Sequence, residues 1–270
     1  MPAAPLLALL ALGAAPSVGG FQALEPGLEL GTFAGPPATS GDGLVTVLRI
    51  DPARYDLRLL NASAPGEGSL RTARAWAARA GAVAAINAAM YQEDYRTSVG
   101  LMRTRDHVNR GHLSREKSVL AFDPLAPGLP RVRLIDRECE PFDPVARQYG
   151  SLVQSIRVVA CDGRNVWAPS ERRFSAALIG IDGAGRVLFV LARTAWPVHA
   201  LVNALLALPL DLKRAMYAEG GPEAQLYVKG GGREVEVLGG HESPLVAAAD
   251  PVDAWPVPNV IAVVRRTGAR

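Results

Sequence analysis

The sequence predicts an α+β fold: a mixed, mostly antiparallel sheet with packed helices, in a single domain. Three observations predict it. Short apolar runs recur along the chain, each bounded by Gly, Pro, Asp or Asn, which is the pattern of buried or half-buried strands. Two other segments carry apolar residues at helical spacing between a start signal and a stop signal. No repeat and no shift in composition divides the chain after about residue 44, and 270 residues can bury a large single core.

In chain order, residues 45–50 and 55–60 read as a pair of strands joined by Asp51-Pro52-Ala53-Arg54. Ser69 reads as the cap of a helix through Ala80 that carries Trp76 and stops at Gly81. Residues 83–86 form a short strand that delivers Asn87 at its end, and the polar stretch 91–117 reads as a long functional loop or lid. Residues 118–122, 153–160 and 175–181 are strand-like, with an irregular segment over 137–150. Asp182-Gly183 turns the chain into 186–191, a good hairpin signal. Pro197 opens a helix through Leu208 with Ala200, Leu201, Ala204, Leu205 and Leu208 on one face, and Pro209 stops it. Residues 216–218 and 225–228 read as the arms of a hairpin, and 260–264 as a final core strand.

Composition excludes several classes. The chain is 49% hydrophobic and 20% charged, with a net charge of only +3. Its basic residues are scattered, whereas a nucleic-acid surface needs clustered cations to displace counterions. The apolar run 6–15 is too short to span a bilayer and has the length of a signal-peptide core, with small residues up to Gly20. Residues 1–20 are therefore expected to be a signal peptide and 21–43 a lead-in, and the mature chain to be secreted or periplasmic without a membrane span. Cys139 and Cys161, the only cysteines, are expected to form one disulfide in that oxidising setting. The four histidines, His107, His112, His199 and His241, lack metal-ligand spacing, so no metal site is predicted. The sequence leaves open whether a cofactor or a metal is required. Modification at Asn61-Ala62-Ser63 depends on a host glycosylation system.

The most informative stretch is 216–228. It places Glu219 at the end of an apolar strand, followed by Gly220, Gly221 and Pro222. An acid beside two residues without side chains builds a polar site that a bulky ligand can approach. The same residues also make a plain hairpin turn.

Four segments taken together resemble the phosphodiester glycosidase family, which includes the lysosomal uncovering enzyme that removes N-acetylglucosamine from a phosphodiester. They are Ala85-Ile86-Asn87-Ala88-Ala89-Met90-Tyr91; Gly180-Ile181-Asp182 with Gly185-Arg186-Val187-Leu188-Phe189-Val190; residues 216–228; and Val257-Pro258-Asn259-Val260-Ile261-Ala262-Val263. The ordered set carries the resemblance, which spans a domain of residues 44–266. It implies Glu219 at the position of the family's acid, where many relatives have Asp, and Asn87 at the position of the family's Asn. Ala88-Ala89 stand where relatives often have Gly-Gly, and Pro222-Glu223 replace small residues.

The chemistry implied is hydrolysis of a sugar 1-phosphodiester or a related cell-envelope glycan. Carboxylates flank an oxocarbenium-like transition state, and cations hold the phosphate. The catalytic candidates are Glu219, Asn87 and Arg173, the last preceding a strand where the family also carries a basic residue. Gly220, Gly221, Arg157, Lys117 and Arg115 are the substrate-binding candidates. The second carboxylate is open among Glu93, Asp94, Glu116, Glu223 and Glu242. Two other classes fit the same text: a carbohydrate- or envelope-binding protein that keeps the fold, and a secreted domain in which Glu-Gly-Gly only turns the chain.

Overall fold

A computed structural model describes residues 18–38, 40–240 and 253–267. The proposed signal peptide, His241 and Glu242 lie wholly or mostly outside these residues. Seventeen strands occur among the described residues. They are β1 (Gly20–Glu25), β2 (Leu28–Ala34), β3 (Leu44–Ile50), β4 (Tyr55–Asn61), β5 (Ala84–Asn87), β6 (Met102–Arg103), β7 (Val108–Arg110), β8 (Ser118–Pro124) and β9 (Val132–Asp136), followed by β10 (Tyr149–Ser155), β11 (Arg157–Val159), β12 (Arg173–Asp182), β13 (Val187–Pro197), β14 (Leu212–Gly220), β15 (Gln225–Gly230), β16 (Arg233–Leu238) and β17 (Asn259–Arg265). The helices are α1 (Ala73–Ala80), α2 (Phe142–Ala146) and α3 (Val198–Ala207).

The fold is mostly β, which corrects the α+β expectation. The strands form a seven-stranded sheet in the order β1-β2-β3-β13-β12-β14-β11 and two five-stranded sheets, β7-β6-β10-β8-β9 and β16-β15-β5-β17-β4. Every strand pairing in them is antiparallel. The helices number only three, of 8, 5 and 10 residues, and each covers an outer face rather than forming a layer.

The reason lies in where the apolar residues point. The main core fills the space where the three sheets face one another. Leu48, Ile179, Phe189 and Met216 of the large sheet meet Leu120, Phe122 and Val153 of the second sheet and Ile86, Leu226 and Ile261 of the third. Alternate residues of the same large sheet, Val47, Leu178, Val190 and Tyr217, face outward and are covered by Leu201, Val202 and Leu205 of α3. A strand buried on both faces reads as a continuous apolar run, as 187–192 does.

Sheets are thus covered mainly by other sheets. The first helix is capped by Thr72, whose Oγ1 accepts from the Ala75 N–H at 3.2 Å, so its cap lies three residues after Ser69. It ends as predicted at Gly81 in a left-handed conformation, φ 61°. Part of the expected lead-in is sheet, namely β1, β2 and the bonded segment between them.

Two expected local pairs are crossovers between sheets. β3 lies in the large sheet, whereas β4 pairs with β17 in the third. Likewise β14 pairs with β12 and β11, whereas β15 pairs with β5 and β16. Residues 216–228 are therefore not a hairpin. The chain leaves one sheet at Gly220, makes a 3₁₀ turn over Gly221–Glu223, and enters the other. Gly221 makes this possible with φ 65°. The hairpin of β12 and β13 is present, with Ile181 opposite Val187.

Candidate active site

The crossover from β14 to β15 forms one wall of a cavity of about 540 Å³. Arg173 and Phe174 come from the start of β12, and Tyr217, Glu219 and Gly220 from the end of β14. Gly221, Pro222 and Glu223 come from the turn, and Met90 and Gly240 complete the lining. A larger groove of about 780 Å³ runs beside β4 and the 123–127 segment, but it contains none of the predicted catalytic residues.

A β-bulge aims Glu219. Ala177 of β12 pairs with Glu219 and the next residue, Leu178, pairs with Tyr217, so Ala218 is the extra residue on β14. Bulges bend a strand and redirect its side chains, and this one sits where the strand reaches the cavity. Asn87 holds the turn from the other sheet. It is buried, its Nδ2 donates to the Glu223 carbonyl at 2.9 Å, and its Oδ1 accepts from the Gln225 N–H at 2.7 Å. Both ends of its amide are thus used to fix the backbone that carries the acids.

Glu219 and Glu223 act on the same space. Burial is the main influence on the Glu219 carboxyl and pushes its pKa up to about 8; the Gly220 N–H, donating to Oε1 at 3.0 Å, pulls the other way, and the nearby Glu223 raises it further. Part of the Glu219 surface still opens to the cavity. No cation among the described residues pairs with it. The hydroxyls of Tyr91 and Tyr217 are also held protonated, first by burial and then by the fields of Glu219 and Glu223. Of the carboxylates left open by the sequence, the structure brings Glu223 to Glu219. Asp94 instead accepts from Arg96 and Thr97 within an exposed turn, and Glu116 pairs with Arg115.

The structure separates the predicted cations. Arg173 lines the cavity. Arg157 does not: its Nη1 donates to both oxygens of buried Asp136 at 2.8 and 3.0 Å. Lys117 pairs with Glu138 at 2.8 Å. The Arg115 side chain is 95% exposed and touches Glu116. None of these three lines the cavity.

Cys139 and Cys161 form a disulfide beside Asp136. Among the described residues, Asp136 with these two cysteines is the only His, Cys, Asp or Glu group compact enough to share a metal, and its sulfurs are already bonded to each other. Among the predicted histidines, His199 packs at the start of α3 against the Trp167 carbonyl, its Nδ1 at 2.6 Å. Asn61 is buried, and its Nδ2 contacts the Met102 sulfur at 3.0 Å.

Tyr217, Phe174 and Met90 were not legible as site residues, because each lies in or beside an apolar run that reads as core. Glu223 was legible only as one of five acids.

The chain has relatives with the same architecture. A catalytic domain of zebrafish N-acetylglucosamine-1-phosphodiester alpha-N-acetylglucosaminidase, auto-inhibited by its pro-peptide, superposes with a TM-score of 0.66 at 12% identity, covering 90% of this chain and 85% of that one. A hypothetical protein from Synechocystis superposes with a TM-score of 0.59 at 14% identity, covering 93% of this chain and 64% of that one. These likenesses show the fold. No curated protein matches the chain. The phosphodiester glycosidase family model matches residues 80–264, from the end of α1 to β17 and through every segment of the cavity wall described above. The chain therefore belongs to the phosphodiester glycosidase family.

Proposed function

We propose that this chain is an exported hydrolase that cleaves a sugar 1-phosphodiester, or a related cell-envelope glycan, in the Glu219 cavity. The observation that carries the reading is a buried carboxyl with a pKa near 8 beside a second carboxylate and a cation, all lining one cavity. Groups tuned in this way cluster at catalytic sites.

The roles follow from the chemistry. Glu219 is protonated at neutral pH and acts as the general acid, giving its proton to the phosphate oxygen that leaves the anomeric carbon. Glu223 supports the positive charge that develops on the sugar, either directly or by activating a water. Arg173 holds the phosphate with charge-assisted hydrogen bonds. Gly220 and Gly221 let the sugar approach the backbone, and Asn87 is a positioning residue that keeps the turn in register.

The test is turnover of a panel of sugar 1-(alkyl phosphate) diesters, read as free reducing sugar. Glu219→Gln keeps the size of the side chain and removes the transferable proton, so turnover should fall by at least ~100-fold. A folded Glu219→Gln protein with near-normal turnover refutes the assignment and leaves a carbohydrate-binding role as the better account. Export is tested separately. The intact mass of native protein recovered from the cell envelope should lack about the first 20 residues, consistent with signal-peptide length.

A further inference from the structure

Tyr217 stands two residues before Glu219 and is 6% exposed. Its ring is buried beneath α3 and packs on Trp167 with ring centroids 5.1 Å apart. Its backbone N–H donates to the Ile156 carbonyl at 2.9 Å. The hydroxyl differs from the rest of the residue. It lies against Gly220, and both residues line the cavity shared by Glu219, Glu223 and Arg173; none of the described residues forms a hydrogen bond with it. The ring is buried, but the hydroxyl is not among the sealed polar atoms that lack a partner, so it stays open to a ligand.

Gly220 explains how the hydroxyl reaches that place. Its backbone is extended, with φ −140°, a conformation open to any residue. A Cβ at position 220 would overlap the Tyr217 hydroxyl and approach the Ser175 carbonyl at 3.2 Å. The first glycine of Glu-Gly-Gly is therefore required by close approach rather than by backbone angle, and what approaches is this hydroxyl.

We infer that Tyr217 is a substrate-binding donor, its hydroxyl giving a hydrogen bond to a phosphoryl oxygen of the bound phosphodiester. The inference rests on the reading of the cavity given above. An anion entering a cavity with two acids needs donors that carry no negative charge, and this phenol is one. Burial first, and the neighbouring acids after it, keep its proton in place, so it donates rather than attacks.

The experiment compares wild type with Tyr217→Phe, which keeps the ring and its contact with Trp167, and with Gly220→Ala, which crowds the hydroxyl aside. Each is assayed on a sugar 1-phosphodiester and on an uncharged aryl glycoside of the same sugar, with calorimetric binding of the sugar 1-phosphate in parallel. For Tyr217→Phe, kcat/KM on the diester should fall by about 10- to 100-fold, as for a hydrogen bond to a charged group. The aryl glycoside should lose less than about 3-fold and the melting temperature should stay within about 2 °C. Gly220→Ala should weaken diester turnover at least as much as Tyr217→Phe, and because Gly220 also lines the sugar's path, selectivity is read from Tyr217→Phe alone. Equal losses on both substrates, or diester turnover and sugar-phosphate binding like wild type in Tyr217→Phe, overturn the inference while leaving the proposed function standing. A wild-type protein that neither cleaves the diester nor binds the sugar phosphate overturns the proposed function, and this donor role with it.

Discussion

Two corners of the molecule bury carboxylates, and they treat them in opposite ways. At the disulfide corner, Asp136 is 2% exposed and accepts from Arg157 and from the backbone N–H groups of Glu138 and Cys161, at distances from 2.8 to 3.1 Å. Glu140 next to it accepts from Arg214 at 2.5 Å and pairs with Arg133. Burial would raise the Glu140 pKa, but these partners outweigh it and the net shift is downward. At the cavity, Glu219 has one backbone N–H, a second acid nearby and no paired cation among the described residues, and its pKa rises. Fully compensated acids hold the fold together. An uncompensated one is held in a state useful for proton transfer, at a cost in stability.

The largest expected effect breaks the compensated corner. Asp136→Ala leaves Arg157 without its acceptor and frees the Cys161 N–H, so stability should fall by about 3–5 kcal/mol. Denaturant unfolding measures this, and turnover per folded molecule should be unchanged. A loss under about 1 kcal/mol would show that water already satisfies Arg157. Next in size is the disulfide, which ties the residues after β9 in the second sheet to those after β11 in the large sheet. Replacing both cysteines by serine should cost about 3 kcal/mol, from loop closure over 22 positions. The Glu219 cavity should tolerate this, since neither cysteine lines it.

Arg173→Ala probes the other corner. Its cation lines the cavity, so the loss should appear in catalysis on a charged substrate. Cleavage of a phosphodiester should weaken by about 1.5–3 kcal/mol, with a much smaller change on an uncharged aryl glycoside. Equal losses on both substrates would remove the phosphate role. The parallel change Arg157→Ala should do the reverse, lowering the unfolding midpoint and leaving substrate selectivity alone.

The contrast also explains what the sequence could and could not disclose. Glu219 before two glycines is a local pattern, and so are the β12–β13 hairpin turn and the lone cysteine pair, so each was legible. The role of Arg157 was not. A guanidinium facing phosphate and one facing Asp136 look alike in text, and its acceptor lies 21 positions away on another sheet. Sheet partners were hidden for the same reason. The turn residues at 51–54 and 219–223 suit a hairpin as well as a crossing between sheets, and only the tertiary burial of Ile86, Leu226 and Ile261 against the large sheet decides between them. Helical packing was overestimated because a sheet covered by other sheets leaves little apolar surface for helices to bury. Tyr217 was hidden because a buried aromatic in a strand reads as core, and only the bulge and Gly220 show that its hydroxyl is not.

The smallest expected effect tests whether Glu219 truly costs stability. Its folded pKa, about 8, lies above the ordinary carboxylate value of 4.5. Below pH 4.5 both folded and unfolded chains are protonated there, and no penalty exists. Between about 4.5 and 8 the unfolded chain releases the proton and the folded chain keeps it, so the contribution of this group to stability falls as pH rises. Above about 8 both forms are ionised and the penalty is constant. Glu219→Gln has no proton to lose. Its stability relative to wild type should therefore match near pH 4.5 and rise to a plateau above pH 8. Because the carboxyl opens partly to the cavity, solvent screening reduces the full linkage value to roughly 1–2 kcal/mol, a shift of a few degrees in melting temperature for a chain of this size. Thermal melts at intervals from pH 4.5 to 9 measure it. A difference that is flat with pH would mean that Glu219 is solvated like a surface acid, and the proton that the proposed mechanism transfers would then be absent at neutral pH.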